Sequence, residues 1–210
     1  SIHKTMNYKQ ALSAPIFEII SKSAEQLGFD CYVIGGFVRD FILDRDAKKD
    51  IDIVAIGSGI ELAKRVSKNL TNNPKVQIFK TYGTAMIKYE GVDLEFVGAR
   101  KESYTEHSRN PTVEDGTLEE DQNRRDFTIN AMAISLNTAS YGALLDPFDG
   151  ISDIISKCIK TPLEPAVTYS DDPLRMLRAI RFASQLDFTI EAGSLKAIKE
   201  ESQRIEIIKN

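Results

Sequence analysis

The chain has 210 residues, 42% of them hydrophobic and 28% charged, and carries a net charge of −4 from 27 basic and 31 acidic side chains. That balance excludes a disordered or fibrous chain and leaves apolar material for one good core and a smaller appendage. It also excludes a protein whose whole surface grips nucleic acid by neutralising phosphates, so any RNA contact must be local.

The stretch from Lys101 to Asp126 holds four basic and eight acidic residues, which accounts for the entire imbalance. No apolar run approaches the ~20 residues that span a bilayer, and Ser1 to Gln10 are polar rather than signal-like, so a soluble, cytoplasmic protein is expected. Cys31 and Cys158 lie in apolar contexts far apart, as expected of buried free thiols rather than of a disulfide or a zinc site.

Taken in chain order, residues 12–27 place Leu12, Ile16, Ile19, Ile20 and Leu27 near the 3.6 period of an amphipathic helix that Gly28 ends. CYVIGG follows as a short strand stopping at a glycine pair, and FVRDFILDR resumes helical spacing. IDIVAIG (51–57) reads as a strand and IELAKRVSKNL (60–70) as a helix with a basic face. VQIFK (76–80), TAMIKYE (84–90) and VDLEFVGAR (92–100) read as three strands, the last two joined at Gly91. The order predicts an α+β fold, a palm with a mixed or largely antiparallel sheet, rather than a doubly wound one.

Residues 101–123 show no apolar periodicity and are expected to form a long mobile segment of functional importance. RDFTINAMAISL (125–136) resumes order with a helical segment holding Asn130, and DPFDG (146–150) is a turn signal. From Asp171 onward the pattern is helical throughout. The expected organisation is therefore a head domain over 1–150 and the start of an all-α segment over 151–210.

Several residue groups carry chemistry. Gly35 and Gly36 follow a strand and open a helix, so their N–H groups and the helix dipole suit an anion such as a triphosphate, with Arg39 one turn in. Asp50 and Asp52 flank Ile51, and strand alternation sends both carboxylates to one face, roughly 7 Å apart at ~3.3 Å per residue. Bare, they would repel; two Mg²⁺ ions about 3.5–4 Å apart would compensate them and hold the attacking and departing oxygens of a phosphoryl transfer. A third carboxylate should come from a neighbouring strand, and VDLEFV offers Glu95, with Asp93 as the alternative.

Arg124 and Arg125 supply bidentate donors for a polyphosphate, with Asp126 able to orient an arginine. Arg175, Arg178 and Arg181 form a stripe on one helix flank, and Asp172 with Arg175 sets an acceptor beside a donor. That pair matches the base edges of cytosine and adenine. Uracil and guanine would bury an unpaired group instead, at about 1–3 kcal/mol. Only His3 and His107 exist, both in polar segments, so histidine-based nucleophilic or metal chemistry is not expected.

GGFVRD (35–40), DID (50–52), RRDFTINAMA (124–133), DPFDG (146–150) and DDPLRMLRAIRFA (171–183) occur in the order found in bacterial class II tRNA nucleotidyltransferases, and the chain also resembles the bacterial poly(A) polymerases. The resemblance implies a polymerase-β-like palm followed by the first helices of a neck. It implies that Gly36 and Arg39 contact the incoming nucleotide, that Asp50 and Asp52 bind Mg²⁺ and that Arg125 contacts the triphosphate. It further implies that Asp172, Arg175, Arg178 and Arg181 form the nucleotide-binding helix, and Glu95 matches the third acidic position. The chain departs from the family in having Asp171 where Glu is usual, and in one extra residue between Arg39 and Asp50. Family members continue into body and tail domains, so this chain is expected to be a truncated piece.

The activity this implies is template-independent addition of CMP and AMP, from CTP and ATP, to the 3′ end of tRNA, with segment 101–123 as the loop that switches the pocket from C to A. Poly(A) polymerase and CC- or A-adding relatives share the same motifs, and a non-catalytic RNA-binding module is the rival from another class.

Overall fold

The fold is that of a computed structural model describing residues 7–46, 50–104 and 112–202. Helix α1 (Pro15–Leu27) starts with proline at its first position, where the missing N–H costs nothing, and ends at Gly28 in the left-handed conformation. Strand β1 (Cys31–Ile34) runs directly into α2 (Gly36–Ile42), and β2 (Asp50–Ala55) into α3 (Gly59–Asn69), whose first turn is capped by the Ser58 hydroxyl accepting from Glu61 N–H. Strands β3 (Val76–Phe79), β4 (Thr84–Tyr89) and β5 (Val92–Gly98) follow as a meander, with Gly91 at positive φ in the last turn.

Strand β6 (Arg100–Ser103) pairs antiparallel with β7 (Thr112–Asp115), and α4 (Leu118–Asn123) comes next. The described residues of segment 101–123, expected to be a long mobile segment, thus include paired strands and a helix. The reason is polar: Thr117 accepts from Glu120 N–H while the Glu120 carboxylate accepts from Thr117 N–H, a capping box that needs no apolar stripe. Residues 105–111, which include His107, and residues 1–6, which include His3, lie outside the described residues.

The expected helical segment around Asn130 is a single 3-10 turn (Thr128–Asn130) leading into β8 (Ala133–Ser135) and β9 (Leu144–Leu145). Helices α5 (Gly150–Ile155), α6 (Pro165–Asp171), α7 (Leu174–Leu186) and α8 (Ala192–Glu201) complete the described chain. Two-residue strands β10 (Cys158–Ile159) and β11 (Thr189–Ile190) pair in parallel among them, so the region expected to be wholly helical also holds a small sheet.

The main sheet has the order β3-β4-β5-β2-β1-β8-β9. Only β2 and β5 run parallel; α3 and the β3–β4 hairpin form the crossover that such a pair requires. The sheet is therefore mixed and the fold α+β, as the pattern predicted. One face, through Val33, Ile51, Ile53, Leu94 and Phe96, packs on Ile16, Phe17 and Ile20 of α1 and Leu62 and Val66 of α3. Each such side chain contributes about 1.5–3 kcal/mol on burial, so this face holds the domain together. The opposite face carries only a small cluster, Ile34, Val54, Ala99 and Ala133, and is left open for polar groups.

Cys31 is buried, which pushes its thiol up to about 12, as expected of an inert structural cysteine; Cys158 is only partly buried. Among the described residues no helix is long and apolar enough to cross a membrane.

Candidate active site

The open face of the sheet is where the carboxylates gather. Asp50 and Asp52 alternate on β2, and the parallel register sets Asp50 beside Asp93 and Asp52 beside Glu95. The Glu95 carboxyl is pushed up to about 7, first by a hydrogen bond shared with Asp52, then by partial burial and by repulsion from Asp52, Asp50 and Asp93. Of the two candidates on β5, Glu95 lines the cavity described next.

That cavity, of about 410 Å³, is bounded on the sheet side by Gly35, Gly36, Asp50, Asp52 and Glu95. Gly35 has φ +84 and ψ −138, a conformation that side chains avoid, and a Cβ there would lie 3.6 Å from Asp52 Oδ2. The diglycine corner is therefore what brings backbone up against the carboxylate. Arg124, Arg125, Asp126 and Asn130 line a second side, and Asp172, Arg175 and Arg178 a third. Arg181 is exposed and does not reach the cavity; it lies against the Phe182 ring, 5.9 Å from its centroid.

Burial decides what several of these groups do. Arg39 is 2% exposed, donates from Nε to Asp40 at 3.0 Å and from its terminal nitrogen to Asn130 Oδ1 at 2.6 Å, and stacks over Phe182 at 5.1 Å. Asn130 in turn donates to Asp126 Oδ1 at 3.2 Å, and the other oxygen of Asp126 pairs with Arg178 at 2.7 Å. Asp40, Arg39, Asn130, Asp126 and Arg178 thus form one chain of polar contacts from α2 to α7, four of whose members line the cavity. Arg39 and Asn130, expected to meet the nucleotide, both line the cavity while being tied into this chain.

Arg124 and Arg125 are aimed by Asp121 of α4, which is wholly buried. Arg125 contacts one of its oxygens at 2.8 and 3.2 Å, Arg124 the other at 3.3 Å, and Arg100 N–H donates to it at 3.1 Å. Burial alone would raise the Asp121 carboxyl, but Arg125 and Arg124 outweigh it and hold the group below its usual range. Asp172 sits just before α7 rather than on it, at the end of α6, and its Oδ1 accepts from Leu174 N–H at 3.2 Å. Arg175, on the first turn of α7, donates to Thr168 O at 3.2 Å and Arg124 O at 2.8 Å. A guanidinium has five N–H donors, so these two bonds leave donors for a ligand.

Sequence reasoning missed Glu102, Tyr104 and Phe182 in the cavity wall and Asp121 behind it. Tyr104 donates to Glu102 at 2.7 Å, and burial with that carboxylate raises its phenol further. Three of the four lie in the segment read as mobile, where the T-x-x-E capping signal was the available clue.

Asp50 and Asp52 fit a divalent cation: they are hard oxygen donors on one strand face, beside a Glu95 carboxyl raised by its hydrogen bond with Asp52, by burial and by the neighbouring acidic charge. Among the described residues no three acidic, histidine or cysteine side chains are preassembled into a cage. An ion here would need oxygens from its nucleotide and from water, the usual arrangement for Mg²⁺.

Residues 31–160 match the family described as the poly A polymerase head domain. An A-adding tRNA nucleotidyltransferase of Aquifex aeolicus is 43% identical over 169 residues, which cover 80% of this chain and 20% of that protein. A CCA-adding enzyme of Pediococcus pentosaceus is 37% identical over 183 residues, 86% of this chain and 43% of that protein. Among solved structures, a CCA-adding enzyme in its apo form II superimposes with a TM-score of 0.84 at 33% identity, over 96% of this chain and 47% of that one. A tRNA nucleotidyltransferase complexed with a primer tRNA and an incoming ATP analog gives 0.75 at 38% identity, over 88% and 50%. The chain spans between a fifth and half of the length of these relatives. On this footing, and with a mixed sheet that carries its carboxylates on the open face, the chain belongs to the poly(A) polymerase head-domain family.

Proposed function

We propose that the protein is a tRNA nucleotidyltransferase that adds CMP and AMP, from CTP and ATP, to the 3′ end of tRNA and releases pyrophosphate. The observation that carries this reading is the single cavity shared by Asp50, Asp52 and Glu95, the diglycine corner, the paired arginines and the Asp172/Arg175 pair. In the transfer, a bond forms between the acceptor 3′ oxygen and the α-phosphorus, and the bond from that phosphorus to the bridging oxygen breaks. Nothing in the site requires a covalent enzyme intermediate, and catalysis reduces to positioning and charge compensation.

Mg²⁺ held by Asp50 and Asp52 would supply that compensation for the phosphate oxygens. Gly35 and Gly36 let the triphosphate approach the backbone, and Arg125, held by Asp121, donates to it. Asp172 accepts from the exocyclic amino group of cytosine or adenine while Arg175 donates to the adjacent ring nitrogen, which excludes uracil and guanine. In this reading residues 1–150 form the head, residues 151–210 open the neck, and the protein works in the cytoplasm.

A second reading, addition of A alone, is favoured by the name of the Aquifex aeolicus relative. Incubation with Mg²⁺, labelled CTP or ATP, and tRNA lacking its terminal CCA separates the two. Incorporation of two C and one A is expected; A only onto tRNA ending in CC would establish the second reading, and a long adenylate tail would overturn both. Asp52→Asn should reduce incorporation by at least ~10³-fold. Unchanged turnover in that variant would remove Asp52 from the metal site, and no incorporation by the unaltered protein would favour a non-catalytic RNA-binding module.

A further inference from the structure

The sheet face that carries the carboxylates has a second end. Ile34 lies beside Asp52 and Tyr32 beside Val54, so along β1 this face runs from the carboxylates over the small apolar cluster to Tyr32. There α4 flanks β9, the last strand of the sheet, and a groove of about 790 Å³ lies between them. Its apolar wall is made by Tyr32, Leu118, Leu144, Leu145 and Pro147. Tyr32, Leu118 and Leu145 rest on the apolar cluster and are only partly buried, so each still offers surface to a ligand. The groove is fixed from within: buried Gln122 donates from Nε2 to Ala131 O at 2.8 Å and to Leu145 O at 3.1 Å, which ties α4 to β9. A preformed concave apolar surface binds with little ordering cost.

Charge selects the occupant. Among the described residues the lining holds two carboxylates, Glu119 and Asp146, and no lysine or arginine. Glu119 is exposed, and Asp146 accepts from Gly150 N–H at 2.7 Å and Ile151 N–H at 3.0 Å, neutral donors that leave its negative charge in place. A nucleic acid would bring phosphates to two anions with no cation to meet them. A second copy of the chain, at net −4, would add like charge. We propose that this groove docks an amphipathic segment of a partner protein, with its apolar residues on Tyr32, Leu118 and Leu145 and its lysines or arginines facing Glu119 and Asp146. The docked segment lies on the helix whose Asp121 aims Arg124 and Arg125.

The test titrates the protein with a fluorescent amphipathic helical peptide of leucine and lysine, about 18 residues long. A leucine–glutamate peptide of the same pattern and a scrambled leucine–lysine peptide serve as comparisons. The patterned leucine–lysine peptide should bind most tightly, and Leu118→Ser should weaken it at least about five-fold. Glu119→Lys, an exposed change that leaves the apolar wall intact, should weaken it about two- to five-fold at low salt and less at high salt. Should Leu118→Ser fail to fold, Glu119→Lys decides alone. Amide resonances of Tyr32, Leu118 and Leu145 should shift on binding. Equal binding of the glutamate or scrambled peptide, an unchanged affinity in Glu119→Lys, or shifts centred on Asp50 and Asp52 would overturn the proposal. So would a dimer in sedimentation that either variant dissolves, since the groove would then belong to a second copy.

Discussion

Glu95 meets Asp52 across the one parallel strand pair of the main sheet, and its carboxyl titrates near 7 instead of its ordinary 4.5. The folded chain therefore holds a proton that the unfolded chain gives up. This contribution is fully present below about pH 4.5 and is lost as pH rises through about 7. In EDTA, the thermal midpoint should fall between about pH 5 and about pH 8, and Glu95→Gln should flatten that slope; parallel pH profiles for the two proteins would show that the proton sits elsewhere. Asp121 is the opposite case, a buried carboxylate whose charge is compensated by Arg124 and Arg125. Removing one partner of a buried ion pair leaves uncompensated charge, so Asp121→Ala should lower stability by about 3–5 kcal/mol in urea unfolding. Asp50 and Asp52 were legible from strand alternation alone, which narrowed the third carboxylate only to Glu95 or Asp93. Asp121 was not, because its meaning depends on two arginines that only the folded α4 brings to it.

At the scale of elements, local signals read well where one interaction dominates. Gly28 at the end of α1 and the apolar period before it needed nothing from the rest of the chain. Helix α4 has no apolar stripe, and its capping box does the work that packing does elsewhere. Thr117→Ala should therefore cost about 0.5–2 kcal/mol, measured by chemical denaturation, and should loosen the arginines that Asp121 holds. The turn between β1 and α2 is constrained differently, because Gly35 occupies a backbone region closed to most side chains. Gly35→Ala should cost about 1–3 kcal/mol in the same assay and shift the Asp52 carboxylate. Weaker divalent-ion binding, followed by calorimetry, is the expected sign of that shift.

For the molecule as a whole, the question is how α7 is seated against the sheet that carries the carboxylates. Phe182 packs edge-to-face on Phe127 with centroids 5.9 Å apart and lies under Arg39 and Arg178. The polar chain from Asp40 to Arg178 runs alongside it. Phe182→Leu keeps apolar volume but removes the ring that Arg39, Arg178 and Arg181 face, so the protein should stay folded and lose about 1–3 kcal/mol of stability. ATP and CTP binding should weaken with it, as titration would show, because Arg178 and Arg175 reach the cavity from the same helix.

The sequence by itself determined the α+β class, the strand that carries Asp50 and Asp52, the diglycine corner and the order of the motifs, because each rests on contacts within a few residues or on alternation along one strand. Only the tertiary structure decided that Arg39 and Asn130 join a buried polar chain in the cavity wall, that Arg181 is exposed outside it and that Glu102 and Tyr104 line it. It also decided that an apolar groove forms between α4 and β9. Those outcomes depend on which distant side chains satisfy a buried charge or donor, and a buried polar group takes whatever partner the fold delivers.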